Sequence, residues 1–284
     1  MIKFELPPIS AIESYELCIS KVRVMQSQPD LKVRFESIAQ EINTRENTYI
    51  DHAPKYDLHL LPKDEVAIGS VTNKELVKVY TDRMAKEKAA GYSIYSRIMV
   101  TQGDLKMCPY CGTRPFNTLD HFLPESRYPA YVVTPCNLIP SCSECNKEKH
   151  ADVPSSQNDH YIHPYFDDDT SSEWVIAELD ATWSAVSYRT TSPTHWSPEQ
   201  LARAQHHFDQ LKLAELYATY SADELACQKL TLTSLTETAG IDITRLHLEK
   251  QLEAARSINV NSWKAPLYRA ILNSLPDFLE ALSD

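Results

Sequence analysis

Four of the seven cysteines fall into two Cys-x-x-Cys pairs, Cys108/Cys111 in CPYCG and Cys142/Cys145 in SCSECNKEK. Thiolates suit a tetrahedral Zn2+ at about 2.3 Å, and four protein ligands leave no open coordination position, so a zinc held this way is structural. In a reducing compartment such pairs favour metal over disulfides. Pro109 and Gly112 suit the tight turn of the first knuckle. Thirty residues separate Cys111 from Cys142, more than the roughly 15–20 of many zinc ribbons. The extra chain has room for a β-hairpin that carries functional side chains. Cys18, Cys136 and Cys227 are isolated and read as ordinary buried side chains.

Between the knuckles lies Asp120-His121, in LDHFLPESRYP. The short, partly apolar run before the pair places it at the end of a strand. Successive strand side chains face opposite ways, so one of the two can reach a metal and the other a water if the strand bends there. A carboxylate is a hard ligand suited to Mg2+ or Mn2+. A neutral imidazole is a suitable general base near pH 7. Asn146 directly follows Cys145, on the helix that the second knuckle should open, and its amide oxygen offers a second metal ligand. Asn137, nine residues earlier, can hold the His121 loop by side-chain-to-backbone hydrogen bonds. Plainer readings stand beside these: a carboxylate–imidazole hydrogen bond for Asp120-His121, and caps or turns for the two asparagines.

The wording of these segments resembles the HNH endonuclease family in its zinc-knuckle ββα-metal form. The resemblance implies that Asp120 and Asn146 bind a catalytic Mg or Mn ion, that His121 deprotonates the attacking water, and that Asn137 orients the His121 loop. Arg127, Lys147 and Lys149 are then expected to bind substrate phosphates. DHFLPESRYP followed by NLIPSCSECNKEK is similar to the HNH nuclease subunits of bacterial anti-phage defence, including the Septu type and its retron-linked relatives. That likeness implies a regulatory ATPase subunit as partner, and DNA is the expected substrate. RNA cleavage, for example of tRNA, and a catalytically inactive zinc-stabilised interaction module are the alternatives.

The net charge of the 284-residue chain is −11, awkward for a partner of polyanions, whose binding rests largely on Lys and Arg. The charge is uneven, however. From Arg97 to His150 six basic residues face five acidic ones. No apolar leader is visible at the N-terminus and no run approaches the ~20 apolar residues of a membrane span. The chain therefore reads as soluble and cytoplasmic, with no membrane partner.

Only five glycines occur, so long helices are expected. The fold reads as mainly helical α+β, with a central ββα-metal module stabilised by a four-cysteine zinc. Residues 1–102 form a helical N-terminal region, 103–170 the module, and 171–284 short strands followed by helices. Helices are expected over Ile9–Gln28, closed by Pro29, over Leu31–Asn43, and from the Thr72–Glu75 capping box to about Ala90, ended by Gly91. Two strands are expected in Glu173–Tyr188 around Asp180-Ala181, and helix starts at Ser197 and Ser221. His160, His163 and Asp167–Asp169 read as a loop near the site, as a second metal set or as a substrate clamp. Tyr128, Tyr131, Tyr161 and Tyr165 read as core packing or as stacking platforms for bases.

Overall fold

A computed structural model describes residues 1–23, 26, 30–63, 67–100, 106–167, 171–180 and 183–277. Gln28, Pro29, Asp168, Asp169 and Ala181, named above, lie outside them. The chain is mainly helical, and its contacts group it into two units. One comprises residues 3–109 and 115–167, the other residues 1–2, 110–114 and 168–284. Among the described residues no helix is long and apolar enough to cross a membrane.

In the first unit, α1 (Ala11–Ile19) starts where the Ser10 side chain accepts from the Glu13 N–H at 3.2 Å. It is shorter than the apolar spacing implied. The expected second helix is two, α2 (Leu31–Ser37) and α3 (Ala39–His52), broken at Ile38 where ψ rises to 0°. A two-residue hairpin, β1 (Ala67–Ile68) and β2 (Val71–Thr72), leads into α4 (Asn73–Arg83) through the capping box. This helix ends well short of Gly91. The Gly91 N–H instead donates to the Arg83 carbonyl at 2.9 Å. A Cβ there would lie 2.4 Å from Cys18 Sγ and 2.8 Å from that carbonyl, so glycine is required by close approach. Then comes α5 (Tyr92–Val100). Tyr15, Tyr49, Val79, Ile94 and Ile98 lie in the core of this unit.

That module consists of β3 (Thr118–His121), β4 (Leu138–Ser141) and α6 (Ser143–Lys149). The strands pair antiparallel, with Asp120 opposite Ile139 and His121 opposite Leu138. All eight strand positions but Thr118 are buried.

In the second unit, β5 (Val175–Leu179) and β6 (Val186–Thr190) form the expected hairpin, where the Asp180 carboxylate accepts from the Ser184 and Ala185 N–H groups. The capping box at Ser197 starts α7 (Pro198–Gln210). The start expected at Ser221 is absent. Ser221 is buried inside α8 (Leu213–Ala239), its hydroxyl donating to the Ala218 carbonyl at 3.0 Å. A serine whose hydroxyl is used within its own helix no longer competes for the next turn's N–H. Two more helices, α9 (Ile241–Ile258) and α10 (Lys264–Asn273), complete the unit. The Asn261 side chain accepts from the Trp174 and Val175 N–H groups, pinning the hairpin over buried Tyr217 and Phe208.

Candidate active site

The sulfurs of Cys108, Cys111, Cys142 and Cys145 all lie within 4.8 Å of one another, and all four residues are buried. A tetrahedral zinc with 2.3 Å bonds sets its sulfurs about 3.8 Å apart, so the four can close around one ion with little movement. None of the seven cysteines is in a disulfide. The Arg114 N–H donates to Cys111 Sγ at 3.5 Å and the Cys145 N–H to Cys142 Sγ at 3.3 Å. Such donors favour thiolates. Cys142 thereby also caps α6. Cys136 is buried but is not among the four, whereas Cys227 is exposed, contrary to the expectation of burial.

Beside this cage a cleft of about 540 Å3 is lined by Asp120, His121, Glu125, Asn146, Lys147 and Tyr80, among others. Strand β3 delivers Asp120 and His121, and α6 delivers Asn146 and Lys147, so both halves of the motif line the same cleft. Asp120 and His121 are nearly buried, at 4% and 8% exposure.

Backbone geometry settles which imidazole nitrogen carries the proton. Nε2 of His121 lies 2.8 Å from the Val132 carbonyl oxygen. A carbonyl can only accept, so Nε2 is protonated and Nδ1 keeps its lone pair. Burial, helped by the Lys149 charge and opposed by the Val132 hydrogen bond, pushes the His121 pKa down to about 4. The ring is thus neutral at pH 7. The Tyr80 ring stands edge-on to it, 4.4 Å between centroids. Burial also raises the pKa of Glu125, whose Oε2 sits 3.9 Å from His121 Nδ1.

Asn137 is fully buried and clamps the loop between the two strands. Its Oδ1 accepts from the Leu123 N–H at 2.7 Å, and its Nδ2 donates to the Leu123 and Tyr131 carbonyls at 3.1 and 3.2 Å. The clamp is braced from outside the motif. The Tyr165 N–H donates to Nδ1 of His163, so Nε2 of His163 bears the proton and donates to the Tyr49 hydroxyl at 3.0 Å. Tyr49 in turn donates to Asn137 Oδ1 at 3.2 Å. Tyr49 comes from α3, far away in sequence, and nothing local marks it as part of the site. The Val132 carbonyl is equally silent in sequence, being backbone.

Lys149 departs from its expected role. Its side chain is wholly buried, with Nζ 3.2 Å from Asp120 Oδ2, and it donates to the His121 carbonyl at 2.8 Å. The rings of Phe122 and Tyr161 flank the ammonium at 5.9 Å each. A lysine enclosed in this way braces the Asp-His turn and is not placed to meet a substrate phosphate. Its spacing three residues after Asn146 puts both on one face of α6, which is the signal available in sequence. Lys147 and Arg127 are exposed, and Lys147 lines the cleft.

Of the remaining candidates, Tyr128, Tyr131, Tyr161 and Tyr165 are all buried, which fits core packing and leaves no face for a base. His160 lies against His59, their ring nitrogens 3.0 Å apart. His163 serves the Tyr49 network. Among the described residues the four cysteines are the only set of three or more Cys, His or acidic groups placed to hold a metal.

A hairpin and a short helix joined over a four-thiolate cage, with Asp-His at the strand end and Asn on the helix, define a ββα-metal module. Residues 108–152 match the model of the HNH endonuclease family, and the chain carries an HNH endonuclease domain there. The chain is similar to Protein ea31 of Escherichia phage lambda, 29% identical over 239 residues that cover 79% of this chain and 80% of that protein. It is also similar to the Septu protein PtuB of Bacillus thuringiensis, 35% identical over 60 residues, 19% of this chain and 23% of that protein. No solved structure gives a significant match.

Proposed function

We propose that the chain is a metal-dependent endonuclease that hydrolyses phosphodiester bonds of DNA. One observation carries the reading. His121 is neutral, holds its proton on Nε2 against the Val132 carbonyl, and so keeps the Nδ1 lone pair free in a residue that lines the same cleft as Asp120 and Asn146. The donors fit a hard divalent ion: a carboxylate oxygen and a neutral amide oxygen suit Mg2+ or Mn2+. Asp120 and Asn146 would hold it. Such an ion supplies charge stabilisation to the phosphate oxygens and the leaving group. His121 takes the proton of the attacking water, Asn137 keeps the His121 loop in register, and Arg127 and Lys147 hold flanking phosphates. The four thiolates hold a structural zinc.

The similarities to a phage protein and to a Septu protein support a role in conflict between phage and host. We extend the proposal to an anti-phage defence role in the cytoplasm beside a regulatory ATPase subunit, a reading that the likeness to a Septu protein supports. The acidic charge of the chain agrees with a partner that brings the substrate to the cleft.

The test is nicking of supercoiled plasmid by the full, zinc-loaded chain with Mg2+ or Mn2+, alongside a structured RNA. Wild type should nick the plasmid, and His121→Ala should be slower by about 10^2–10^4-fold, the usual worth of a positioned base. Cleavage of the RNA alone would reassign the substrate. Wild-type and His121→Ala proteins indistinguishable on both substrates would leave an interaction module as the reading.

A further inference from the structure

Glu125 is the one acidic cleft residue for which the ββα-metal motif provides no role. It follows His121 by four residues and lines the same cleft. Its Oε2 is buried and finds no hydrogen-bond partner among the described residues. Burying a carboxylate oxygen without a donor is costly, and groups placed at such a cost concentrate where a site needs them. The geometry shows what this one can serve. His121 Nδ1, the nitrogen with the free lone pair, lies 3.9 Å from that oxygen. This is too long for a direct hydrogen bond, and the two are both acceptors when Glu125 is ionised. Two acceptors sharing one water through O–H donor bonds of about 2.8 Å stand about 4.4 Å apart, so a side-chain shift of about half an ångström admits one.

We propose that Glu125 is a catalytic residue that positions the nucleophilic water between itself and His121. The inference rests on the reading of His121 as the base. The water donates one O–H to His121 Nδ1 and the other to Glu125 Oε2, and these two bonds aim an oxygen lone pair into the cleft. As that oxygen bonds to phosphorus, its proton passes to Nδ1. The phosphorus bond to the leaving oxygen breaks, and that oxygen takes a proton from bulk water. The imidazolium then returns its proton to solvent, so the net reaction consumes one water. Glu125 keeps its own charge throughout. Its contribution is orientation, through a second acceptor that removes the freedom of the water to rotate about a single bond.

The experiment compares wild type, Glu125→Leu, Glu125→Gln, His121→Ala and the double variant His121→Ala/Glu125→Leu, as full zinc-loaded chains. The readouts are plasmid-nicking kinetics and thermal melting. Glu125→Leu should lower kcat by about tenfold or more with KM unchanged, and Glu125→Gln, which keeps an acceptor oxygen, should lose less. In the His121→Ala background the leucine should have no further effect, because both residues act on the same water. Melting should be unchanged or raised, since the orphaned oxygen is gone. An active wild type whose kcat survives Glu125→Leu overturns this inference and leaves the function standing. So does a leucine variant that melts well below wild type, which marks Glu125 as a structural anchor, or losses that multiply in the double variant. A wild type that matches His121→Ala in activity overturns the function itself, and the assignment of Glu125 with it.

Discussion

Replacing Lys149 by Met isolates the buried ion pair on which the Asp-His turn is built. The lysine side chain has no exposure, its Asp120 partner has 4%, and 3.2 Å separates the charges. Met keeps most of the volume and the apolar stem against Phe122 and Tyr161. What it removes is the ammonium that balances Asp120 and donates to the His121 carbonyl. Breaking a buried pair from one side leaves an uncompensated charge, a loss of about 3–5 kcal/mol. For a chain of this size each kcal/mol moves Tm by about 2–4 °C, so the midpoint should fall by roughly 6–20 °C. The double variant Asp120→Asn/Lys149→Met removes both charges and should recover most of that loss, because neutral replacement of a whole buried pair is often nearly free. Urea unfolding and calorimetry in zinc-replete, magnesium-free buffer measure both variants. A Lys149→Met protein within about 1 kcal/mol of wild type, or a double variant no more stable than the single one, refutes the account of Lys149 as the counter-charge that holds Asp120 in place.

The thiolate cage should bind one zinc per chain, and Cys145→Ser should abolish stoichiometric zinc by elemental analysis while lowering the melting temperature, because metal binding at such a site is folding free energy. The chain should also lose stability in mild acid. Burial keeps His207 neutral by pushing its pKa down to about 3, and holds that of His163 well below the ordinary imidazole value. Unfolded, both rings protonate below about pH 6.5 and the unfolded state then binds more protons than the folded one. Stability is therefore full above pH 6.5 and declines as the pH falls from there toward 3, by up to about 1.4 kcal/mol per unit for each ring. Flat urea midpoints between pH 7 and pH 5 would contradict this.

Local chemistry was readable from the chain because it depends on near neighbours. The two knuckles, the Asp120-His121 pair, Asn146 on the knuckle helix, the capping boxes at Thr72 and Ser197, and the β5–β6 hairpin all follow from spacing of a few residues. Signals of the same kind failed where longer-range packing intervened. Ser221 is absorbed into α8, and Gly91 answers to the Arg83 carbonyl and Cys18, not to a helix end. The electrostatics of the site were decided only by the tertiary fold. Lys149 is expected from the sequence to bind a substrate phosphate, yet it is enclosed by two rings and committed to Asp120. Tyr49 and His163 brace Asn137 from positions 88 and 26 residues away. The Val132 carbonyl selects the imidazole tautomer, and backbone carries no side-chain signature. Residue spacing can state which groups are available to a metal or a water, whereas burial and hydrogen-bond partners determine which of them carry a proton, a charge or a free lone pair, and those emerge only when distant segments pack together.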